Sequence, residues 1–127
     1  MSFKLKSFDH IVITTADVAA CIKFYRDVLG MRHVFADGRH AFYFGDVKIN
    51  VHTRPAEFLP AASYPLAGSL DICLITDDDI ENVKREIEEK GWPIEVGPVE
   101  RNGAKGRMMS VYLRDADGNL IEVATYE

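Results

Sequence analysis

Phe8-Asp9-His10-Ile11-Val12-Ile13-Thr14-Thr15 reappears 61 positions later as Ser69-Leu70-Asp71-Ile72-Cys73-Leu74-Ile75-Thr76, with Asp71 in the place of His10 and Thr76 in that of Thr15. A second correspondence, 72 positions apart, sets Ile49-Asn50-Val51-His52-Thr53 against Ile121-Glu122-Val123-Ala124-Thr125. Both pairs read as strands, and a polar group buried on a strand costs free energy unless it finds a partner. Polar residues at matching points of two apolar strands therefore point to a duplicated fold with one shared polar site.

The intervening sequence repeats in the same way. Asp17 is placed to cap a helix over 18–29, in which Val18, Cys21, Ile22, Tyr25, Val28 and Leu29 make an apolar stripe ending at Gly30. In the second copy Asp78 or Asp79 caps, Ile80, Val83 and Ile87 make the stripe, and Gly91 ends it. The charges from Lys84 to Lys90 alternate in sign around that helix and read as a solvated face. Three extended segments follow each helix. They cover about 32–36, 40–44 and 47–53 in the first copy and 94–96, 108–114 and 119–126 in the second, with Asp37-Gly38, Gly45-Asp46 and Asp117-Gly118 as turns. The unit is strand, helix, strand, strand, strand, used twice.

A single domain over 1–127 is expected, with module one at about 7–54, a proline-punctuated linker at 55–67 and module two at 68–127. The second copy is longer by a stretch at 97–107 that carries Arg101, Gly103, Lys105 and Gly106. It reads as a loop able to act as a lid or anion clamp, or as a surface loop without chemical role.

With 127 residues, 47% hydrophobic and 28% charged, the chain can bury a sizeable core. A net charge of −5 and no basic stripe argue against a nucleic-acid partner. The absence of a long apolar run argues against a membrane span, and a cytoplasmic address follows by default. Cys21 and Cys73 form no CxxC pair and are expected to be small core residues.

Alternation places His10 on one strand face, Asp71 on the matching face of its counterpart, and Glu122 on the face it shares with Leu120 and Ala124. One imidazole and two carboxylates meeting in an apolar cup would suit a divalent metal with open positions. Asn50 and His52, which share a face, are candidates for a further ligand. Arg101 and Lys105 are placed to hold an anionic tail, such as a thiol's carboxylate. Tyr43, Tyr112, Phe42 and Trp92 offer stacking surface, although Phe42 and Trp92 read better as core.

Phe24-Tyr25-Arg26-Asp27-Val28-Leu29-Gly30-Met31 and Asp115-Ala116-Asp117-Gly118-Asn119-Leu120-Ile121-Glu122-Val123, taken with Phe8 to Ile13, resemble the vicinal oxygen chelate superfamily. That superfamily includes glyoxalase I, fosfomycin-inactivating thiol transferases, extradiol dioxygenases and bleomycin-resistance proteins. The 69–76 strand and the Asn102-Gly103-Ala104-Lys105-Gly106 segment look like its glyoxalase-domain-containing branch. The resemblance implies an α+β fold of two βαβββ modules forming a curved mixed sheet. It assigns His10 and Glu122 to metal-ligand positions, puts Asp71 at the middle ligand and Asn50 at a fourth, and makes Glu122 the proton-moving base.

A His, Asp, Glu set favours Mn²⁺, Fe²⁺ or Mg²⁺, with Ni²⁺ and Zn²⁺ open. The implied function is a metal-dependent lyase or isomerase of lactoylglutathione lyase type. It would act on a small substrate with vicinal oxygens, with glutathione or another thiol as co-substrate. The alternatives are a metal-free cup of bleomycin-resistance type and a fosfomycin-type thiol transferase. Dioxygenase chemistry is disfavoured by chain length and by the absence of a His-rich triad. Family analogy also implies a homodimer, with the site either within one chain or shared between two; if it is shared, His10 and Asn50 come from one chain and Asp71 and Glu122 from the other.

Overall fold

The computed structural model describes residues 2–127. The first module consists of β1 (His10–Thr14), α1 (Val18–Ile22) continuing into a π-helical turn (Lys23–Val28), β2 (Arg32–Ala36), β3 (Arg39–Phe44) and β4 (Val47–His52). The second consists of β5 (Asp71–Ile75), α2 (Ile80–Glu89), β6 (Val96–Gly103), β7 (Gly106–Arg114) and β8 (Leu120–Tyr126). Each module builds one four-stranded mixed sheet, in the orders β1-β4-β3-β2 and β5-β8-β7-β6. The first strand runs parallel to the last in each, and the other pairings are antiparallel. The duplicated βαβββ architecture expected from the sequence is the architecture found.

The expected caps form. Asp17 accepts from the Ala20 amide and Asp79 from the Asn82 amide, each satisfying a helix N–H that has no partner within the helix. The first helix widens after Ile22, where the Leu29 amide reaches back five residues to the Phe24 carbonyl. The wider winding turns less per residue, so the adjacent Phe24 and Tyr25 both face inward, each 0% exposed.

One core serves both modules. Ile13, Phe42, Ile49 and Val51 of the first sheet and Val111, Leu113, Ile121 and Val123 of the second belong to a single buried cluster with Phe24, Tyr25, Ile80 and Ile87. Phe24 packs on Trp92 with ring centroids 5.0 Å apart, and the Trp92 indole N–H donates to the Arg114 carbonyl at 2.7 Å. Burying each large apolar side chain stabilises the fold by roughly 1.5–3 kcal/mol. The helix-covered face of each sheet contributes to that cluster, and the opposite faces carry no helix. Val12, Ile75 and Val96 on those open faces are 46%, 53% and 41% exposed.

Two expectations are corrected. The 97–107 stretch is not a loop: β6 runs from Val96 to Gly103 and pairs with β7 through Gly103↔Gly106, making a long hairpin tipped by Ala104 and Lys105. Cys21 is core, but Cys73 is exposed, because the even positions of β5 face the core and Cys73 shares the outer face with Asp71 and Ile75. Residues 53–69 contain no helix or strand. None of the described helices is long and apolar enough to cross a membrane.

Candidate functional site

Register shows why the repeat matters. In the first sheet Val12 is opposite Asn50, and in the second Cys73 is opposite Glu122. His10 therefore stands to Asn50 as Asp71 stands to Glu122, diagonal neighbours on an open face reached by the same βαβββ winding. His10, Asn50 and His52 line a groove on the first sheet, whereas Asp71 and Glu122 stand on the second. Among the described residues, no three His, Cys, Asp or Glu side chains cluster closely enough to hold a metal ion. Within one chain the structure thus brings together two half-sets of donors and does not unite them.

Each half-set has the supporting contacts that a ligand needs. His10 Nδ1 lies 2.7 Å from Asp9 Oδ1, which fixes the proton on Nδ1 and leaves Nε2 as the free lone pair. Glu122 is half-buried, and its Oε2 accepts from Ser110 Oγ at 2.6 Å, while the Cys73 thiol beside it also hydrogen-bonds the carboxylate. Asp71 is exposed at the start of β5. Next to Glu122, partial desolvation and then the carboxylate's charge lift the Cys73 thiol to about 11.

The remaining expected residues divide between the two faces. Tyr112 is directly opposite Glu122, and its hydroxyl accepts from Arg101 Nε at 3.1 Å, so Arg101, Tyr112 and Glu122 form one neighbourhood. Lys105 sits at the hairpin tip, where its amide donates to the Tyr126 hydroxyl at 3.1 Å. Tyr43 lies on the first sheet beneath Arg32 and Lys48. Phe42 is fully buried and Trp92 is packed into the core, which removes both from the stacking surface.

Three participants were not read from the sequence. Ser110 is a 0% exposed hydroxyl in the otherwise apolar stretch of β7, the same signal that singled out His10, and it was legible in principle. Arg39 and Phe58 meet only because the irregular connection folds back over β3, with the guanidinium 3.9 Å from the ring centroid. No periodicity encodes that contact.

Residues 7–123 match the model of the Glyoxalase/Bleomycin resistance protein/Dioxygenase superfamily, and the chain belongs to that superfamily. Its sequence is 50% identical over 119 residues to the virulence protein STM3117 of Salmonella typhimurium, covering 93% of this chain and 83% of that protein. The crystal structure of that protein matches with a TM-score of 0.94 at 46% identity, over 98% of this chain and 100% of that one. The glyoxalase domain-containing protein RDO1 of Mycosarcoma maydis is 44% identical over 124 residues, 97% of this chain and 70% of that protein. A lactoylglutathione lyase from Agrobacterium tumefaciens matches in structure with a TM-score of 0.73 at 26% identity, over 96% of this chain and 95% of that one.

Proposed function

We propose that this protein is a divalent-metal-dependent lyase or isomerase of glyoxalase type, acting on a small thiol adduct with neighbouring oxygens. Its site would be completed between two copies, with His10 from one protomer and Asp71 and Glu122 from the other. The observation that carries this reading is the matched placement of the half-sets: His10 and the Asp71–Glu122 pair occupy corresponding registers on two outward faces. The exposure of Val12, Ile75 and Val96 on these faces favours their being covered by a second copy, the commonest assembly being an isologous dimer. The similarity to lactoylglutathione lyase supports the reaction class.

The donor set fits a metal. His10 offers Nε2 while Asp9 holds its other nitrogen, and Glu122 offers a carboxylate that Ser110 holds by one oxygen. A bound divalent cation would supply Lewis acidity toward two neighbouring oxygens of the substrate. Glu122 would take the proton from the carbon beside the carbonyl and return it to the adjacent one, with Ser110 keeping the carboxylate aimed. Arg101 and Tyr112 flank that carboxylate and would orient the substrate's polar arm.

The deciding experiment is complementation. His10→Ala and Glu122→Ala homodimers should each be inactive toward a glutathione hemithioacetal. An equal mixture, unfolded and refolded together, should recover about a quarter of wild-type activity, because half the dimers are mixed and each carries one intact site. Failure of the mixture to recover activity would refute the shared site. Absence of any thermal shift with Mn²⁺, Ni²⁺ or Zn²⁺ would refute metal dependence and favour metal-free ligand capture.

A further inference from the structure

The groove on the first module contains groups that metal binding leaves unused. It has a volume of about 760 Å³, within the range of roughly 300–1,000 Å³ usual for small-molecule sites, and is floored by β1 and β4 and roofed by residues 58–66. Along its floor β1 runs from His10 to Thr14, about 13 Å at roughly 3.3 Å per residue. At the far end Thr14 is opposite His52, and Arg39 follows beside His52, because its neighbour His40 pairs with Val51.

Two features of that far end call for an anion. His52 is only 7% exposed, and its Nδ1 is sealed from solvent with no hydrogen-bond partner, although Thr14 beside it is satisfied by the Pro65 carbonyl at 2.9 Å. Arg39 has no carboxylate partner among the described residues; its guanidinium lies over the Phe58 ring, which packs in a T-shaped arrangement with the His52 imidazole, centroids 5.2 Å apart. An orphaned ring nitrogen in its N–H form and a cation facing only an aromatic ring are both improved by an oxyanion, which accepts from the first and which a guanidinium can bind in a bidentate manner. Leu59, Tyr64 and Leu66, exposed by 79%, 83% and 55%, give the roof apolar surface for the body of such a ligand.

We infer that the groove is a substrate subsite for an amphipathic carboxylate: the reacting end lies at His10, an apolar arm lies under the 58–66 segment, and the carboxylate is read by Arg39 and His52. This deepens the proposed function and rests on it for the identity of the reacting end. Phe58 covers the guanidinium here, so the carboxylate would take the place of its ring.

The test uses metal-stripped full-length protein and 4-phenylbutyrate, with 4-phenylbutyramide as the uncharged control and 3-phenylpropylphosphonate as a second oxyanion. Calorimetry should show binding of the carboxylate but not of the amide, weakened about tenfold by Arg39→Gln and partly restored by Arg39→Lys. His52→Phe, which keeps the ring and removes the nitrogens, should also weaken it. Equal binding of the amide, or an Arg39→Gln variant that folds and binds like wild type, would overturn the subsite. Preference for the phosphonate would overturn the carboxylate assignment. A metal response without Arg39-dependent binding sinks this inference alone, and Arg39-dependent binding without a metal response sinks only the metal reading.

Discussion

The Tyr25 hydroxyl donates a 2.6 Å hydrogen bond to Asp115 Oδ2 across 90 residues of chain, and both side chains are buried. The same carboxylate accepts from Asn119 Nδ2 at 2.7 Å and from the amides of Asp117 and Asn119 at 2.9 Å each. It thereby ties the first module's helix to the turn before β8, the strand that carries Glu122. Burial, and then the Asp115 charge, push the Tyr25 phenol well above its ordinary value, so it stays a donor. Tyr25→Phe should cost about 2 kcal/mol, the scale of a hydrogen bond to a charged group, measured by urea unfolding. A loss below a few tenths would show that the bond does not hold the modules together.

Ser110→Ala removes the hydroxyl that holds Glu122 Oε2 and should leave the fold intact while loosening the carboxylate. Divalent-cation affinity, followed by thermal shift, should drop about tenfold or more, as for other groups that orient a ligand. Ser110→Thr should recover part of it. If both variants bind as wild type does, Glu122 is not oriented in this way.

Gly97 marks a break in register between Val96 and Val99, with φ at +112°. A Cβ there would fall 2.5 Å from the Ser110 carbonyl oxygen and 3.0 Å from the Val111 Cα, both backbone atoms that cannot swing away. Gly97→Ala should therefore cost about 2 kcal/mol or more. Gly38, with φ at +73° and open space around it, isolates the backbone contribution, and Gly38→Ala should cost about 1 kcal/mol. Similar midpoints for the two variants would contradict the close approach at Gly97.

His33 and His40 stack with centroids 5.1 Å apart, and Nε2 of the first lies 2.9 Å from Nδ1 of the second. Burial, then the positive charge available to His40 and that of Arg26, hold the His33 imidazole below its ordinary value. The unfolded chain then takes up a proton more readily than the folded one. Stability should fall as pH drops through about 6.5, the ordinary imidazole value, and the loss should level off below the folded value. His33→Gln should flatten the melting midpoint between about pH 7.5 and 5 relative to wild type. Parallel curves would exclude His33 as the source.

The duplicated fold was legible because it rests on period and spacing: the 61- and 72-residue offsets reappear as equivalent registers, and Asp17, Asp79 and Gly38 act as their residue types dictate. The β6–β7 hairpin was not legible, because its glycines and charges imitate a loop while its strands pair over their whole length. The candidate donors were found one by one, yet nothing in a linear pattern says which sheet faces turn inward. That choice is made by Phe24, Tyr25 and Trp92 packing between the modules. Arg39 and Phe58 were hidden for a similar reason, and His52 was read only as a candidate metal ligand, since the roof over them is an irregular segment whose course follows from tertiary contacts.

The common core also bears on dissecting the molecule. Residues 53–69 look like a natural place to cut, but a break there would leave Phe24 without Trp92 and the Tyr25 hydroxyl without its acceptor. Separately expressed halves should be sticky and poorly folded, and should regain order only when mixed. The connection is thus a tether within one folding unit, and a split-protein reporter could be built on it.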